Sequence, residues 1–106
     1  MRAPPRGEVW LVDLGLTAKI RPCLVLSVPF GETDRSIVSL VPHTTSVRDS
    51  RFETAFPVRF LKSGAFDAQG LVTVPVNYLV RKLGVLSARQ IEEVERAVCL
   101  WLGISA

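Results

Sequence analysis

One short segment, LVPHTTS at residues 40–46, gathers several of the side chains that could carry chemistry in this chain of 106 residues. It holds the only histidine, His43, followed by the hydroxyls of Thr44, Thr45 and Ser46. An imidazole titrates near neutral pH and can accept or donate a proton, and a hydroxyl can both donate and accept a hydrogen bond. Proline, serine and threonine are also typical of turns. The segment therefore predicts either a catalytic edge or a plain turn after a strand.

The elements that must position this segment are short strands. Segments rich in β-favouring apolar residues, bounded by turn residues, predict strands at 8–14, 23–28, 35–41, 52–60, 71–76 and 80–86. The third of these leads directly into Pro42 and the histidine. Because side chains alternate between the two faces of a strand, His43 and Thr44 are not expected to face one substrate unless Pro42 distorts the ladder.

The end of the chain changes to a helical period. Ser87 and Gln90 have capping-box spacing, and Gly103 is placed to end the helix. Four apolar residues share one face at helical spacing: Ile91, Val94, Val98 and Trp101. Several strands followed by one helix predict a single small α+β domain over residues 1–106, with a strongly bent, partly closed antiparallel sheet. Residues 1–5, which include paired prolines, are expected to be disordered.

The composition of the chain indicates which kinds of partner and which compartment to expect. Thirteen Lys and Arg residues against ten acidic ones give a net charge of +3 and a pI near 9.3, which favours polyanions such as RNA, or an acidic protein. No apolar run approaches the roughly 20 residues of a membrane span, so we expect a soluble, cytoplasmic protein. Cys23 and Cys99 are far apart in sequence, so their spacing predicts neither a metal site nor a disulfide.

Four segments taken together resemble the MazF/PemK family of toxins from bacterial toxin–antitoxin systems. They are RGEVWLVDL, RPCLVLS, LVPHTTS and the tail KLGVLSARQIEEVERAVCLWLGI. The resemblance implies an SH3-like, strongly bent antiparallel β-barrel with a C-terminal α-helix, assembled as a homodimer. It also implies a metal-independent endoribonuclease without a cofactor, which cuts single-stranded RNA through the ribose 2′-hydroxyl and is held inactive by a cognate antitoxin.

The same resemblance assigns Arg21 and Thr44 to the active site, with Thr45 as the alternative if the alignment is shifted by one residue. Cleavage needs a proton acceptor, a donor for the leaving oxygen and a cation near the phosphoryl oxygens. The planar donors of an arginine fit a phosphate bidentately. His43 is a further candidate, as the catalytic acid or base, although a lone histidine is more often packed or exposed.

One part of the family pattern is missing. Many relatives carry an acidic residue, a glutamine and a second arginine late in the chain, where this sequence has Val74, Pro75 and Asn77. Either another cation replaces the second arginine or the activity is weak, altered or absent. The candidate cations are Lys19, Arg48, Arg81 and Lys82. With Thr45 and Ser46, they complete the expected RNA-contacting residues.

Two other functions stay open from the sequence. CcdB toxins share the fold, poison DNA gyrase without catalysis and end in Trp-Gly-Ile, which the end of this chain, WLGISA, matches only in part. A family member that binds RNA but has lost most of its catalysis is the other possibility. The segments IRPCLVLS and VPHTTS favour the ribonuclease, because a gyrase poison has no chemical need for them.

Overall fold

The computed structural model describes residues 2–15 and 20–105, and within them lie seven strands, one α-helix and two short 3₁₀ turns. The strands are β1 (Glu8–Asp13), β2 (Ile20–Val25), β3 (Ile37–Thr44), β4 (Glu53–Thr54), β5 (Ala65–Asp67), β6 (Val72–Pro75) and β7 (Leu79–Val85). The 3₁₀ turns are Ala68–Gly70 and Val76–Tyr78, and the helix α1 is Ala88–Leu102. The predicted α+β class with a C-terminal helix is confirmed.

All the strand pairs are antiparallel, in the order β4-β5-β3-β2-β1-β7, with β6 also pairing with β3. The register between β1 and β7 shifts twice, and such bulges bend a sheet. Within the described residues the sheet is not closed, because neither β4 nor β6 pairs with β7. The predicted barrel is thus a loose description of a bent sheet with two ends.

Strand β3 changes partner along one side. Its residues 37–40 pair with β6, whereas His43 and Thr44 pair with β5. Pro42 lies between these two stretches, where a residue without an N–H group disturbs pairing least. The strand therefore continues past the proline to Thr44, three residues beyond the predicted end at residue 41.

The two faces of the sheet are both covered by apolar side chains. Leu24 of β2 belongs to a cluster under α1 that includes Val94 and Val98. Its neighbours Cys23 and Val25 belong to a second cluster on the other side. Burial on both faces explains why β2 has a near-continuous apolar run rather than strict alternation.

The helix is bounded as its sequence predicts. The Ser87 side-chain oxygen accepts the Gln90 N–H at 3.2 Å, and the Gln90 side-chain oxygen accepts the Ser87 N–H at 2.9 Å. At the other end Gly103 has a left-handed φ of 70°, which favours glycine. The predicted inward face is confirmed for Val94 and Val98, whereas Trp101 at the last turn is exposed.

The connection from β4 to β5 differs from prediction. The expected strand over 52–60 shrinks to Glu53–Thr54, and β5 forms in a segment expected to be a turn. Phe56, Val58 and Phe60 still pack against the core, but from a loop. Before β1, Arg6 is fixed by a 2.8 Å bond from Nε to the Leu26 carbonyl and by an ion pair with Glu95.

Two further observations concern the N-terminal residues and the absence of a membrane-spanning helix among the described residues. Pro4 is buried, and the Pro5 carbonyl accepts the Glu8 N–H at 3.4 Å. No helix in the described part of the chain is long and apolar enough to cross a bilayer. The single domain over residues 1–106 stays a prediction.

Candidate active site

Arg21 and Thr44, the two family-assigned residues, follow the paired stretch of β2 and β3. This antiparallel pairing runs from Val25 opposite Leu40 to Cys23 opposite Pro42. Arg21 and Thr44 each lie two residues beyond the last pair, and side chains two positions apart along a strand point to the same face. Both residues are therefore directed to one face at this edge of the sheet.

Both residues line a cavity of about 560 Å³, which we call the Arg21–Thr44 cavity. Its lining is rich in polar and charged groups that four separate segments contribute. They include Arg21, Thr44, Ser46, Arg48, Asp67 and Gln69. Such a concave surface with convergent polar groups and two guanidiniums is suited to a phosphate ester.

Thr44 has a turn contact as well as a place in the cavity. Its Oγ1 accepts the backbone N–H of Ser46, two residues further on, at 3.0 Å. This is the turn contact that the run of Pro, Thr and Ser residues predicts. An acceptor bond of this kind polarises the hydroxyl and leaves its own proton to be donated. The turn interpretation and the catalytic interpretation of Thr44 are thus compatible.

Arg48 reaches the cavity wall on a loop that Glu53 anchors. The Glu53 carboxylate accepts the N–H of Arg48 at 3.0 and 3.2 Å and the N–H of Ser50 at 3.0 Å. Between them Asp49 has φ of 56°, in the left-handed region that non-glycine residues seldom adopt. The carboxylate holds this unusual turn in place, and with it the backbone that carries Arg48.

Asp67 and Gln69 enter the cavity from the turn after β5, and sequence reasoning missed them. Asp67 Oδ1 accepts the Gln69 N–H at 3.1 Å, which caps the 3₁₀ turn. A Cβ added at Gly70 would lie 2.7 Å from Pro42 Cγ, so this turn packs closely against β3. The local signal for these two residues is Asp-x-Gln-Gly after a short apolar run.

His43 faces away from Thr44. It lines a second cavity of about 590 Å³, together with Pro22 and Arg81, as alternation along β3 predicts. Its side chain is buried, at 5% exposure, and its ring packs edge-on to Phe66 with centroids 5.0 Å apart. Burial lowers the pKa of His43 because the charged imidazolium loses hydration.

The other predicted RNA contacts are divided among several surfaces. Arg21 and Ser46 line both cavities and so form the lip between them, whereas Thr45 and Arg81 line only the second. Lys82 is instead ion-paired, with its Nζ 2.9 Å from Glu8 Oε2. Lys19 lies outside the described residues.

The Glu8 carboxylate is a buried acceptor at the centre of that ion pair. Its Oε1 accepts the Trp10 indole N–H at 3.0 Å. Burial by itself raises the pKa of Glu8, but the bonds from Lys82 and Trp10 outweigh it and the pKa is lowered overall. This cluster borders a third cavity, lined also by Arg2 and Pro4, so Lys82 and the Arg21–Thr44 cavity belong to different surfaces.

Comparisons with known proteins give a matching family and several similar solved structures. The family of PemK-like, MazF-like toxins of type II toxin–antitoxin systems matches residues 5–102. Among solved structures, an endoribonuclease from a mycobacterial species superposes with a TM-score of 0.82 and 24% identity, covering 100% of this chain and 97% of that one.

Two further structures are similar. The Mycobacterium tuberculosis toxin MazF-mt6 has a TM-score of 0.77 and 25% identity, over 93% of this chain and 99% of that one. A chain of a MazE–MazF structure from Deinococcus radiodurans has a TM-score of 0.80 and 23% identity, over 97% of this chain and 98% of that one. Because the family match spans nearly all of its length, this chain belongs to the PemK-like, MazF-like toxins of type II toxin–antitoxin systems.

Proposed function

We propose that this toxin is an endoribonuclease that cleaves single-stranded RNA in the Arg21–Thr44 cavity. The observation that carries the proposal is a single cavity that Arg21 and Thr44 line together with a second arginine, Arg48. The family match supports the toxin role, and similar structures described as endoribonucleases support the reaction.

The side chains of the cavity divide the chemistry among them. The ribose 2′-hydroxyl attacks the adjacent phosphorus, the 5′-oxygen leaves, and a cyclic phosphate remains on the first fragment. Arg21 and Arg48 donate hydrogen bonds to the phosphoryl oxygens, where charge increases in the transition state. The Thr44 hydroxyl donates a third bond there, the Asp67 carboxylate accepts the 2′-hydroxyl proton, and a solvent water donates the proton that the leaving 5′-oxygen takes up.

Arg48 is proposed as the substitute for the missing second arginine. Among the candidate cations in the described residues, Arg48 lines the cavity that holds both Arg21 and Thr44, whereas Arg81 lines the second cavity and Lys82 is paired with Glu8. Two guanidiniums supply the positive charge that a metal ion supplies in other nucleases, so the proposed cleavage does not require a metal. Within residues 2–15 and 20–105, no group of three or more His, Cys, Asp or Glu residues is placed to hold a metal ion.

His43 is proposed as a packing residue rather than the acid or base. It faces the second cavity, its ring is buried against Phe66, and burial lowers its pKa. His43 does not line the cavity of Thr44 and Arg48, whereas Asp67 does.

The function is tested by cleavage of a long RNA in excess chelator. Arg21→Ala and Thr44→Val should each lower the rate by on the order of 10²-fold or more, because each removes a donor that acts in the transition state. The double variant should cleave RNA only slightly more slowly than the slower of the two single variants, since the two groups act as a unit. Arg59→Ala is the matched control, because Arg59 is an exposed arginine that does not line the cavity.

Two outcomes would change the assignment. Full activity in both single variants would remove the site from this cavity. A larger loss in Thr45→Val than in Thr44→Val would move it to the second cavity, which Thr45 lines. RNA binding without any cleavage by the unmodified protein would favour a catalytically weakened family member.

A cognate antitoxin is proposed as the partner that silences the toxin in the cytoplasm. The net charge of +3 on the chain attracts an acidic segment, which can fold as it binds. The similar MazE–MazF structure from Deinococcus radiodurans supports this pairing. Added to the cleavage assay, the antitoxin should suppress cleavage in proportion to the complex formed; tight binding with unchanged cleavage would place it elsewhere.

A further inference from the structure

Trp101, on the last turn of α1, borders the Arg21–Thr44 cavity although its helical spacing predicts an inward position. It is 44% exposed, whereas Val94 and Val98 on the same face are buried. A large aromatic side chain is thus left open to solvent at the mouth of a cavity that also contains two arginines. The chemistry of the surroundings indicates which ligand would cover it.

The indole is held from one side. The ring of Phe52 meets it edge-on, with centroids 5.2 Å apart and planes at 63°. Phe52 is itself fixed, because its N–H donates to Ser50 Oγ at 3.1 Å and the Arg51 guanidinium lies 4.6 Å from its ring centre. Phe52 and Trp101 therefore form an ordered aromatic surface, which we call the aromatic rim.

The end of the helix fixes the backbone beneath the indole. The N–H of Gly103 donates to the Leu100 carbonyl at 3.3 Å, and the N–H of Ile104 donates to the Cys99 carbonyl at 2.9 Å. These bonds close the last turn in the usual way for a left-handed glycine. The backbone of the turn that carries the indole is thus fixed at its end.

We propose that Trp101 stacks on a nucleobase of the RNA next to the scissile phosphate. This inference rests on the proposed ribonuclease function and adds a binding subsite to it. A nucleotide presents a phosphate and a flat base within a few ångströms, and this cavity presents guanidiniums and a flat indole together. Every base has a π-face, so stacking holds the strand without requiring one sequence.

Binding is tested first, by fluorescence. The chain has two tryptophans, so Trp10→Phe leaves Trp101 as the only indole. An RNA oligonucleotide with 2′-O-methyl riboses cannot be cleaved through the 2′-oxygen, and it should quench Trp101 emission saturably. The same backbone with abasic positions should bind more weakly and quench little.

Two results of this titration would overturn the proposal. One is RNA binding, measured by anisotropy, without any change in Trp101 emission. The other is emission that follows protein concentration instead of RNA, which would show that a second copy covers the indole. If Trp10→Phe fails to fold, the difference in quenching between the unmodified protein and Trp101→Phe gives the same information.

Kinetics provide an independent test. Trp101→Ala should raise KM for RNA by about 5- to 150-fold, the range expected for loss of one stacked base, with a much smaller change in kcat. Trp101→Phe should recover part of the loss, because a phenyl ring still stacks. Leu102→Ala is the control, since Leu102 is the exposed neighbour and does not line the cavity.

The outcomes separate this subsite from the function on which it rests. RNA cleavage with an unchanged KM in Trp101→Ala would refute the stacking role and leave the ribonuclease intact. Saturable quenching by RNA in a protein that never cleaves would support the stacking role and refute the ribonuclease. A protein that neither binds nor cleaves RNA would refute both.

Discussion

His43 and Thr44 are adjacent in the chain, yet they face different cavities. Their orientation follows from the alternation of side chains along β3, which continues through Pro42. Arg21 lines both of these cavities, so its guanidinium lies at the boundary between them. At the scale of single residues, alternation along a strand therefore separates two neighbouring groups into different cavities.

The buried position of His43 predicts a pH dependence of stability. Its pKa is lowered in the folded state, so below its unfolded value of about 6.5 the unfolded chain binds more protons than the folded one. The free energy of unfolding should fall as pH decreases from about 7 towards the lowered pKa. Urea denaturation at several pH values should show this loss in the unmodified protein.

His43→Gln provides the comparison, because it cannot titrate in this range. The stability difference between the two proteins should shrink or reverse as pH falls, and the rate of RNA cleavage should change little. A large loss of cleavage with unchanged stability would make His43 the acid or base. Glu8 does not interfere, since its lowered pKa moves its own titration below 4.5.

Only some of the site residues could be predicted from the sequence. Arg21 and Thr44 lie in recognisable segments, and the fold brings both to one cavity. Lys82 looks like a free cation in sequence, but its partner Glu8 is 74 positions away and meets it only through the β1–β7 pairing. Contacts at such a distance along the chain leave no local pattern.

At the scale of elements, long periodic segments were predicted well and short ones were not. The helix has caps at both ends and a repeating apolar face, so its bounds follow from local chemistry. The strand β5 has three residues, and it forms because β3 extends to Thr44 and offers an edge. This extension places Asp67 and Gln69 in the cavity, which is why they were missed.

The loop after β3 supports a prediction about positioning. Glu53→Gln keeps one oxygen that can accept the N–H groups of Arg48 and Ser50, but it replaces the second acceptor of Arg48 by an NH2 group and removes the negative charge that strengthens all three bonds. We expect faster amide hydrogen exchange over residues 48–53. We also expect a loss of cleavage of about 10-fold, since small misplacements of a catalytic group are costly.

The double variant tests whether Glu53 acts through Arg48. If it does, Glu53→Gln combined with Arg48→Ala should cleave no more slowly than Arg48→Ala alone. Glu32→Gln, on an exposed loop, is the control for the loss of one negative charge. Unchanged hydrogen exchange in Glu53→Gln would contradict the anchoring role.

For the whole molecule, the main consequence of an open sheet is its exposed edge. Strand β7 ends the described strand order, pairing with β1 along one side only. Val80 and Val85 on this strand are each 57% exposed. Unpaired edges and apolar surface of this kind are commonly covered in natural proteins, and a second copy related by a two-fold axis is the commonest cover.

We therefore expect a homodimer in which β7 lies at or near the interface and the aromatic rim stays open to RNA. Sedimentation velocity at micromolar concentration should show a dimer. Val80→Glu should shift the protein towards monomer, because two like charges would face each other across the axis. Val28→Glu, at an exposed loop position away from β7, should leave the dimer unchanged. Monomer alone in the unmodified protein would refute the dimer, and a dimer that persists in Val80→Glu would move the interface away from β7.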